Sequence, residues 1–493
     1  MNHPLLYEIN TRCWLPELTD AAGSRIHLGN VPDAEFDRWT RPGFTHVWLM
    51  GVWTTSQASR EQALGSRQLR AVYNEVLPDW QPEDIGGSPY AIGDYRVPDE
   101  LGGDPGLADF RRRLNERGLR LILDFVPNHV GLGHSWLQFW PDLFVPGRPG
   151  SPDSFRCQTG ASNRWIAHGK DPYFPAWVDT AQLDFRRAET HQAVLDTLQL
   201  VAARCDGVRC DMAMLVLPEV FTRTWEHHPG PATACDGDFW SLAIPAVRLK
   251  NPDFIFIAEA YWDLESELLD HGFDYAYDKW LYDHLLNDNG TRAVAHLQDN
   301  ADRFVDRGVH FLENHDEARA ATAFGQAEHR AAAVLTYSLP GMRLLHEGQL
   351  TGAGHKIPVQ LARRPRAEQD DYLFAFYTWL LRLLRATAIG HGTHRILPPV
   401  AAWGTNETHA GVFVIQWQKQ PGQFEIVAVN LTEADAQCFV HPDIPELSQH
   451  RWKMTDLLGV AAFDRFGIEL RHKGLYLALT PRAAHVYHFT TND

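Results

Sequence analysis

The chain has 493 residues, and its 45 Lys and Arg against 62 Asp and Glu give a formal net charge of −17 at pH 7. This acidic balance argues against nucleic acids and anionic membranes as partners, because both bind through clusters of basic side chains. Hydrophobic residues form 44% of the sequence, which is typical of a globular protein. The 17 tryptophans need either a core or a flat ligand to stack on. Because the charge disfavours nucleobases, the composition favours a sugar ligand.

The six cysteines are scattered without a CxxC pair, which predicts reduced thiols in a cytoplasmic protein. The sequence contains no run of about 20 apolar residues that would predict a membrane span. The first ten residues, MNHPLLYEIN, lack the basic and apolar segments of a signal peptide. We therefore expect a cytoplasmic location, while the oligomeric state is left open.

Eight short apolar runs alternate in chain order with stretches of helical period. They begin at Tyr7, Phe44, Leu119, Gly207, Phe254, Phe273, Gly308 and Met342. Such runs are typical of parallel strands that are buried on both faces. The intervening stretch Asp104 to Gly118 opens with Asp and Pro and closes on Gly, which predicts a crossover helix. Eight strand–helix units predict an α/β fold, the (β/α)₈ TIM barrel. A doubly wound open sheet is the alternative, but no GxGxxG turn follows any of the runs.

Two segments depart from the barrel pattern. Residues 129–184, after the third strand, are irregular and contain four tryptophans that are candidates for cleft walls: Trp136, Trp140, Trp165 and Trp177. A loop of this length is more often functional than idle. After a helical stretch at 372–389, apolar and polar residues alternate between turns, as in antiparallel strands. We predict a barrel over 1–128 and 185–394, an inserted domain over 129–184, and a C-terminal antiparallel β-sandwich over 395–493.

Charged and polar residues follow four of the predicted strands, where a barrel of this kind places its chemistry. They are Asp124, Asn128, His129, Arg209, Asp211, Glu259, His315 and Asp316. Arg209 and Asp211 are two residues apart on one strand, so their side chains point to the same side. A guanidinium beside a carboxylate should lower the pKa of that carboxylate, as a carboxylate nucleophile requires. Taken alone, the pair is more typical of a structural ion pair.

Glu259 ends the apolar run FIFIA, and burial there should raise its pKa, as a general acid requires. A single Glu at a strand end is also a common cap. Asp316 supplies a third carboxylate, and His129 and His315 supply donors for sugar hydroxyls. Two carboxylates with opposite pKa shifts predict a retaining glycosidase, with one nucleophile and one acid/base. The inverting alternative, with more widely spaced carboxylates, stays open.

Four segments resemble the principal motifs of the α-amylase superfamily, glycoside hydrolase family 13, in the family's order. They are DFVPNH at 124–129, GVRCDM at 207–212, AE at 258–259 and ENHD at 313–316. QLDF at 182–185 and SPYAIGDYRV at 88–97 resemble two further segments of the family. The resemblance covers nearly the whole chain and implies the barrel, the inserted domain B and the C-terminal β-sandwich. It also implies a retaining reaction on α-glucans that requires no cofactor.

The resemblance further implies roles for individual residues. Asp211 would be the nucleophile, Glu259 the acid/base, and Asp316 the group that holds hydroxyls of the distorted sugar. Tyr90 would stack beneath the same sugar ring, and His129 and His315 would hold its hydroxyls. Arg209 would orient the nucleophile, and Asp124 would order the motif from behind.

Three departures from the family pattern limit what the resemblance implies. Met212 to Met214 stand after the nucleophile, where many α-amylases carry a Lys-His pair, which predicts a more apolar leaving-side subsite. Residues 86–88 (Gly-Gly-Ser) replace the acidic residue of exo-acting α-glucosidases, which favours an open cleft. Asn128 and Asp184 match positions that bind calcium in some members. Two oxygen ligands are too few to define a site, so calcium is left as an open candidate.

The leading hypothesis is α-amylase-like hydrolysis of α-1,4 linkages in α-glucans or maltooligosaccharides. The first alternative is a transglycosylase or phosphorylase, which passes the same intermediate to a sugar or to phosphate. In its favour, GSPYAIGD at 87–94 is similar to bacterial maltosyltransferases that use maltose 1-phosphate. The second alternative is a non-catalytic carbohydrate-binding homologue, which the presence of all three carboxylates argues against. Linkage and product length are not predicted.

Overall fold

Eight parallel strands close into a barrel, and each lies beside the next strand of the chain. The computed structural model describes residues 3–159, 162–231, 235, 237–287 and 289–491. We label the barrel strands β1 (Leu5–Asn10), β2 (His46–Met50), β3 (Arg120–Phe125), β4 (Gly207–Cys210), β5 (Ile255–Ala258), β6 (Tyr275–Tyr277), β7 (Gly308–His310) and β8 (Met342–His346). Each predicted apolar run begins within two residues of one of these strands, so the predicted (β/α)₈ barrel is confirmed.

Helices connect the strands and cover the outside of the barrel. Within the described residues the α-helices are Thr11–Ala22, Asp33–Thr40, Gln57–Gly65, Arg67–Val76, Gly103–Asn115, Ser135–Phe139, Ala188–Ala202, Pro218–Trp225, Phe239–Arg248, Glu265–Asp270, Lys279–Leu286, Gly290–Asp299, Ala320–Ala323, Gln326–Ser338, Asp371–Ala386 and Gly467–Lys473. The predicted crossover helix is Gly103–Asn115, in which Leu107, Phe110 and Leu114 form the buried face. None of the helices in this part of the chain is both long and apolar enough to cross a membrane.

The barrel interior is apolar except at the carboxyl ends of the strands. Its apolar layer includes Leu6, Trp48, Ile122, Ile257, Tyr277, Val309 and Leu344. Because successive side chains of a strand alternate between its two faces, a residue two positions further along points the same way. At that position, three of these apolar residues are followed by an acid: Glu8, Asp124 and Glu259. The pattern of the strands thus directs three carboxyl groups into one end of the barrel.

An irregular insertion follows β3. It contains four strands, which pair as two antiparallel couples: His129–Gly131 with Thr180–Gln182, and Ser154–Thr159 with Ser162–Ala167. The first couple joins the two ends of the insertion, so the insertion leaves and re-enters the barrel at one place. A further couple, Thr54–Thr55 with Ile92–Asp94, lies in the connection that follows β2.

The C-terminal part consists of two antiparallel sheets. The larger has the order Thr393–Ile396, Val412–Gln420, Gln423–Asn430, Ala484–Thr491, Arg451–Asp456, Ala462–Phe466, and the smaller has the order Val400–Ala401, Ala436–Val440, Leu475–Leu479. A separate apolar core that includes Phe424 and Trp452 forms the interior of the predicted β-sandwich. Trp417 lies on the other face, where its Nε1 donates to the carbonyl of Ser338 at the end of a barrel helix (3.0 Å). The first strand of the larger sheet begins at Thr393, two residues before the predicted boundary.

Candidate active site

Arg209 lies among the carboxyl groups at the carboxyl end of the barrel. Its Nη1 is 2.8 Å from Oδ1 of Asp211, which follows β4, and its Nη2 is 2.8 Å from Oε2 of Glu259, which follows β5. Nη1 is also 3.9 Å from Oδ1 of Asp124, the residue in register with Arg209 on β3. One buried guanidinium therefore contacts carboxyl groups from three adjacent strands.

The carboxyl group of Glu259 is buried and hydrogen-bonded on both oxygens. Oε2 accepts from the backbone N–H of Met212 (2.6 Å), and Oε1 accepts from the hydroxyl of Tyr261 (2.9 Å). Burial is the largest influence and raises the pKa of Glu259 to about 7, against the opposing charge of Arg209. This direction agrees with the expectation from the sequence. A carboxylic acid with this pKa is partly protonated at neutral pH and is suited to general acid chemistry.

The pKa of Asp211 is raised, not lowered, so the predicted opposite shifts of Asp211 and Glu259 are wrong. Burial of the Asp211 carboxyl outweighs the charge and hydrogen bond of Arg209, and the carboxylate of Asp316 adds to the rise. Asp211 and Glu259 contact the same guanidinium, and the charge of Asp211 adds to the rise in the pKa of Glu259.

Asp316, His315 and Tyr90 form a connected group at the edge of the cleft. The side chain of Asp316 is 45% exposed, and its Oδ2 lies 2.9 Å from Nε2 of His315. Although burial within the cleft acts to raise the pKa of Asp316, the charge and hydrogen bond of His315 outweigh it and lower this pKa. The Tyr90 hydroxyl lies 2.7 Å from the same Nε2, and the two rings stack with centroids 5.4 Å apart.

Asp124 and His129 lie deeper on the same side of the barrel. Asp124 accepts hydrogen bonds from Nε1 of Trp48 (3.2 Å) and from the backbone N–H of Gly51 (3.4 Å), and burial raises its pKa to about 7. Burial lowers the pKa of His129 to about 4, so its imidazole is neutral at pH 7, and the ring contacts the backbone of Tyr90. With these two, the structure brings together all eight predicted catalytic and substrate-binding residues.

Asn128 and Asp184, the two calcium candidates, are occupied by other partners. Both oxygens of Asp184 accept from Arg186, at 2.7 and 2.9 Å. The amide of Asn128 exchanges hydrogen bonds with the amide of Gln182 (2.8 and 3.2 Å). Calcium takes six to eight oxygen ligands, and a carboxylate neutralised by an arginine is a poor one. No group of three or more His, Cys, Asp and Glu suited to a metal occurs in the described part of the chain, so these residues do not fit the ion.

A cavity of about 750 Å³ opens beside Asp316, and its walls combine charged residues with four aromatic side chains: Phe174, Tyr261, Trp262 and Trp280. Nε1 of Trp280 donates to Oδ1 of Asp263 at 2.7 Å, which fixes the position of the indole. Trp262 and Asp263 have φ values of 65° and 63°, a left-handed conformation that is strained for side chains other than glycine. Strain of this kind is concentrated at functional sites, which supports a role for this wall in binding.

The structure separates the two methionines of the predicted apolar subsite at Met212 to Met214. Met212 lines the cavity, but Met214 is fully buried in the core. Met212 has a φ of 43°, after which a short 3₁₀ helix over Ala213–Val216 turns the chain into the interior. The four tryptophans predicted as cleft walls, Trp136, Trp140, Trp165 and Trp177, are not among the residues that line this cavity.

The residues that sequence reasoning missed are Glu8, Arg12 and the aromatic wall. A charged residue within the apolar run of β1 is the signal that identifies Glu8. Arg12 directly follows β1 in the connection at the carboxyl end, and its Nη1 donates to the carbonyl of Gly87 at 2.7 Å. Trp262 stands three residues after Glu259 on the same connection. Trp280 had no comparable signal, because only the fold brings the start of its helix to the cleft.

Two buried carboxyl groups around one arginine, at the carboxyl ends of the strands of a (β/α)₈ barrel, fit the active site of a glycoside hydrolase. The family profile described as the alpha amylase catalytic domain matches residues 42–372. The chain therefore belongs to the α-amylase family, glycoside hydrolase family 13.

Relatives in other organisms are distant in sequence. The chain is 21% identical over 310 residues to alpha-amylase 3 of Dictyoglomus thermophilum, a match that covers 58% of this chain and 59% of that protein. It is 26% identical over 333 residues to neopullulanase 2 of Thermoactinomyces vulgaris, covering 60% and 50%. The chain thus spans about half the length of these relatives. The crystal structure of an alpha-amylase from Lactobacillus plantarum has the same fold, with a TM-score of 0.67, 19% identity and 98% of both chains covered.

Proposed function

We propose that this protein is a retaining α-glycosidase that hydrolyses α-glucans or maltooligosaccharides through a covalent β-glycosyl–Asp211 intermediate. The observation that carries the proposal is the guanidinium of Arg209, which lies 2.8 Å from both Asp211 and Glu259. Retaining enzymes hold their two carboxyl groups about 5–5.5 Å apart, whereas inverting enzymes leave room for a water between them. A single guanidinium that contacts both groups favours the closer arrangement. The relatives named as amylases and as a neopullulanase support α-glucans as the substrate class.

The two carboxyl groups divide the reaction between them. A carboxylate oxygen of Asp211 attacks the anomeric carbon while the bond to the leaving oxygen breaks, and Glu259 gives its proton to that oxygen. Glu259, now ionised, takes a proton from a water molecule. The oxygen of this water attacks the anomeric carbon, and the bond to Asp211 breaks. Two inversions at one carbon retain the original configuration.

The residues around the carboxyl pair would bind the sugar. The exposed carboxylate of Asp316 accepts hydrogen bonds from sugar hydroxyls, and the neutral His129 offers a ring nitrogen to the same ring. His315 serves the same subsite by holding Asp316 through Nε2. The ring of Tyr90 supplies the flat apolar surface on which a sugar stacks. Arg209 and Asp124 stay behind the reacting groups and fix their positions.

Substitution of the nucleophile tests the mechanism. Asp211→Asn should lower kcat by about 10⁴-fold or more, because loss of a nucleophile removes the covalent route. Asp33→Asn is the matched control, since this carboxylate is 73% exposed and pairs with Arg113 and Arg117 on the outside of the barrel. Asp211→Asn with turnover close to that of the wild type would contradict the proposal. A substrate panel of starch, maltooligosaccharides, pullulan, trehalose, sucrose and maltose 1-phosphate, with and without phosphate, would define the linkage and the acceptor.

The aromatic cavity favours a second candidate function, transfer of the glycosyl group to a sugar. Trp262 and Trp280 present rings beside Asp316, where an acceptor sugar would stack before it replaces water. Chromatography of the products from maltoheptaose separates the two functions, because transfer yields longer oligosaccharides and hydrolysis only shorter ones. If transfer occurs, Trp280→Ala should reduce the longer products. Trp403→Ala is its control, because Trp403 is similarly exposed but belongs to the C-terminal part.

We also propose a cytoplasmic location. All six cysteines are free thiols, and four of them are buried, which is the usual state in a reducing compartment. Cell fractionation would test the location directly.

A further inference from the structure

Glu8 is a buried carboxylate at the active site that the proposed mechanism does not use. It lies on β1 and is fully buried, so it has no access to a sugar in the cleft. Its Oε1 lies 2.5 Å from Nδ1 of His315. Its Oε2 is enclosed and has no hydrogen-bond partner among the described residues. A half-satisfied buried carboxylate is costly for stability, which argues that it serves the site and not only the fold.

The two contacts of His315 define its charge. Nδ1 faces the carboxylate of Glu8, and Nε2 faces the carboxylate of Asp316 at 2.9 Å. An ionised carboxylate only accepts hydrogen bonds, so a ring nitrogen that contacts one must carry a proton to donate. With both acids ionised, His315 is an imidazolium held between two carboxylates. The two carboxylates also raise the pKa of His315 well above its usual range, although burial alone would lower it.

Other titratable groups around His315 also influence its charge, but none of those described takes the place of Glu8 at Nδ1. The titratable groups that face His315 come from separate segments of the barrel: Glu8, Tyr90, Asp124, Asp211, Asp316 and His346. Of these, Glu8 is the acid that contacts Nδ1, since the contact of Asp316 is made to Nε2. Burial lowers the pKa of His346 to about 3, so that ring is neutral.

We propose that Glu8 is a positioning residue that keeps His315 doubly protonated, and that the imidazolium in turn holds Asp316 and Tyr90 in place around the donor sugar. Without the charge of Glu8, His315 would lose a proton. With its remaining proton on Nε2, the neutral ring would still donate to Asp316, but this hydrogen bond would be weaker than one from a charged imidazolium. The carboxylate would then be held less firmly in its position at the sugar. The kinetic part of this proposal rests on the proposed function, while the charge of His315 does not.

The charge of His315 can be measured without any substrate. The chain has 25 histidines, so the signal of His315 in ¹⁵N NMR of ring-labelled protein is assigned as the one lost in His315→Asn. In the wild type this signal should remain that of an imidazolium at pH 8. In Glu8→Gln, whose amide accepts a hydrogen bond but carries no charge, it should become that of a neutral ring. An imidazolium signal that persists at pH 8 in Glu8→Gln would overturn the proposal.

A matched control comes from a similar pair outside the barrel. Glu425 is buried in the C-terminal sheet, and its Oε1 lies 2.8 Å from Nδ1 of His488. Glu425→Gln also removes one buried carboxylate from an imidazole, but it should leave the His315 signal and kcat unchanged. If Glu8→Gln does not fold, Glu8→Asp takes its place. It keeps the negative charge, one methylene further away, and should therefore keep the imidazolium signal and most of kcat. Loss of that signal with unchanged kcat would contradict the proposal.

Kinetics test the second half of the proposal. Glu8→Gln should lower kcat by about 10- to 100-fold with KM changed less, because Asp316 is held less firmly where it contacts the distorted sugar. In a His315→Asn background Glu8→Gln should have little further effect, since Glu8 acts through His315. Equal losses in both backgrounds would show a general structural role and overturn the proposal. Failure of the proposed function would instead appear as a wild-type protein without turnover, and the NMR experiment alone would then decide the role of Glu8.

Discussion

Tyr261→Phe should shift the alkaline limb of the pH–rate profile to higher pH. The Tyr261 hydroxyl donates to Oε1 of Glu259 at 2.9 Å, which favours the ionised carboxylate. Removal of this donor therefore raises the pKa of Glu259 above its value of about 7. A hydrogen bond to a charged group is worth about 1.5–3 kcal/mol, and one pKa unit corresponds to about 1.4 kcal/mol, so the upper limit of the shift is about one to two units. The donors Met212 N–H and Arg209 remain, so we expect a shift of about one unit.

The assay is kcat/KM on a maltooligosaccharide over about pH 5 to 10, because this ratio reports ionisations of the free enzyme. In the wild type the rate should fall as pH rises above about 7, since the acid Glu259 loses the proton that it donates. Tyr487→Phe is the control, because this tyrosine belongs to the C-terminal core. An alkaline limb at the same pH in the wild type and in Tyr261→Phe would refute the argument that Tyr261 holds the acid.

Two further predictions concern stability. Gly87→Ala should lower the free energy of unfolding by about 2–4 kcal/mol, since φ is 77° and the new Cβ would lie 2.7 Å from the backbone N of Arg60. Chemical denaturation measures the loss, and Gly23→Ala (φ 62°, no atom within 4 Å) isolates the part due to φ. EDTA should leave Tm unchanged, because Arg186 already neutralises Asp184. A Tm that falls with EDTA and recovers with calcium would contradict this interpretation.

The fold was predictable because its signals are local. The eight buried strands occur in the sequence as continuous apolar runs. Parallel strands that are buried on both faces are found in few other architectures. The polar residues of the site were predictable for a related reason. The carboxyl ends of parallel strands meet at one end of a barrel, so Asp124, Asp211 and Glu259 are brought together by strand position alone.

The properties that the sequence did not predict correctly depend on how deeply a side chain is buried and on contacts between distant segments. The sequence shows Arg209 beside Asp211, but it does not show how far both are from water. Burial decided the direction of the shift in the pKa of Asp211, which is raised. The aromatic wall joins Phe174 of the insertion to Trp280 of a helix about a hundred residues later, and no local pattern connects the two. The sequence analysis placed Met214 in the apolar subsite, but the left-handed backbone at Met212 turns the following residues into the interior.

The charge balance at the barrel mouth explains why Glu259 can hold a proton. Four acids, Asp124, Asp211, Glu259 and Asp316, share the cleft, and among the described residues the cations that form ion pairs with their carboxyl groups are Arg209 and His315. Glu8 also pairs with His315, while the charge of Lys356 acts on Asp316. A neutral sugar supplies no positive charge to correct the excess. Burial, the largest cause of the raised pKa of Glu259, acts in the same direction as the negative charges of Asp211 and Asp316 and against the charge of Arg209. The proton that the proposed mechanism needs is therefore a consequence of burial together with the excess of negative charge around Glu259.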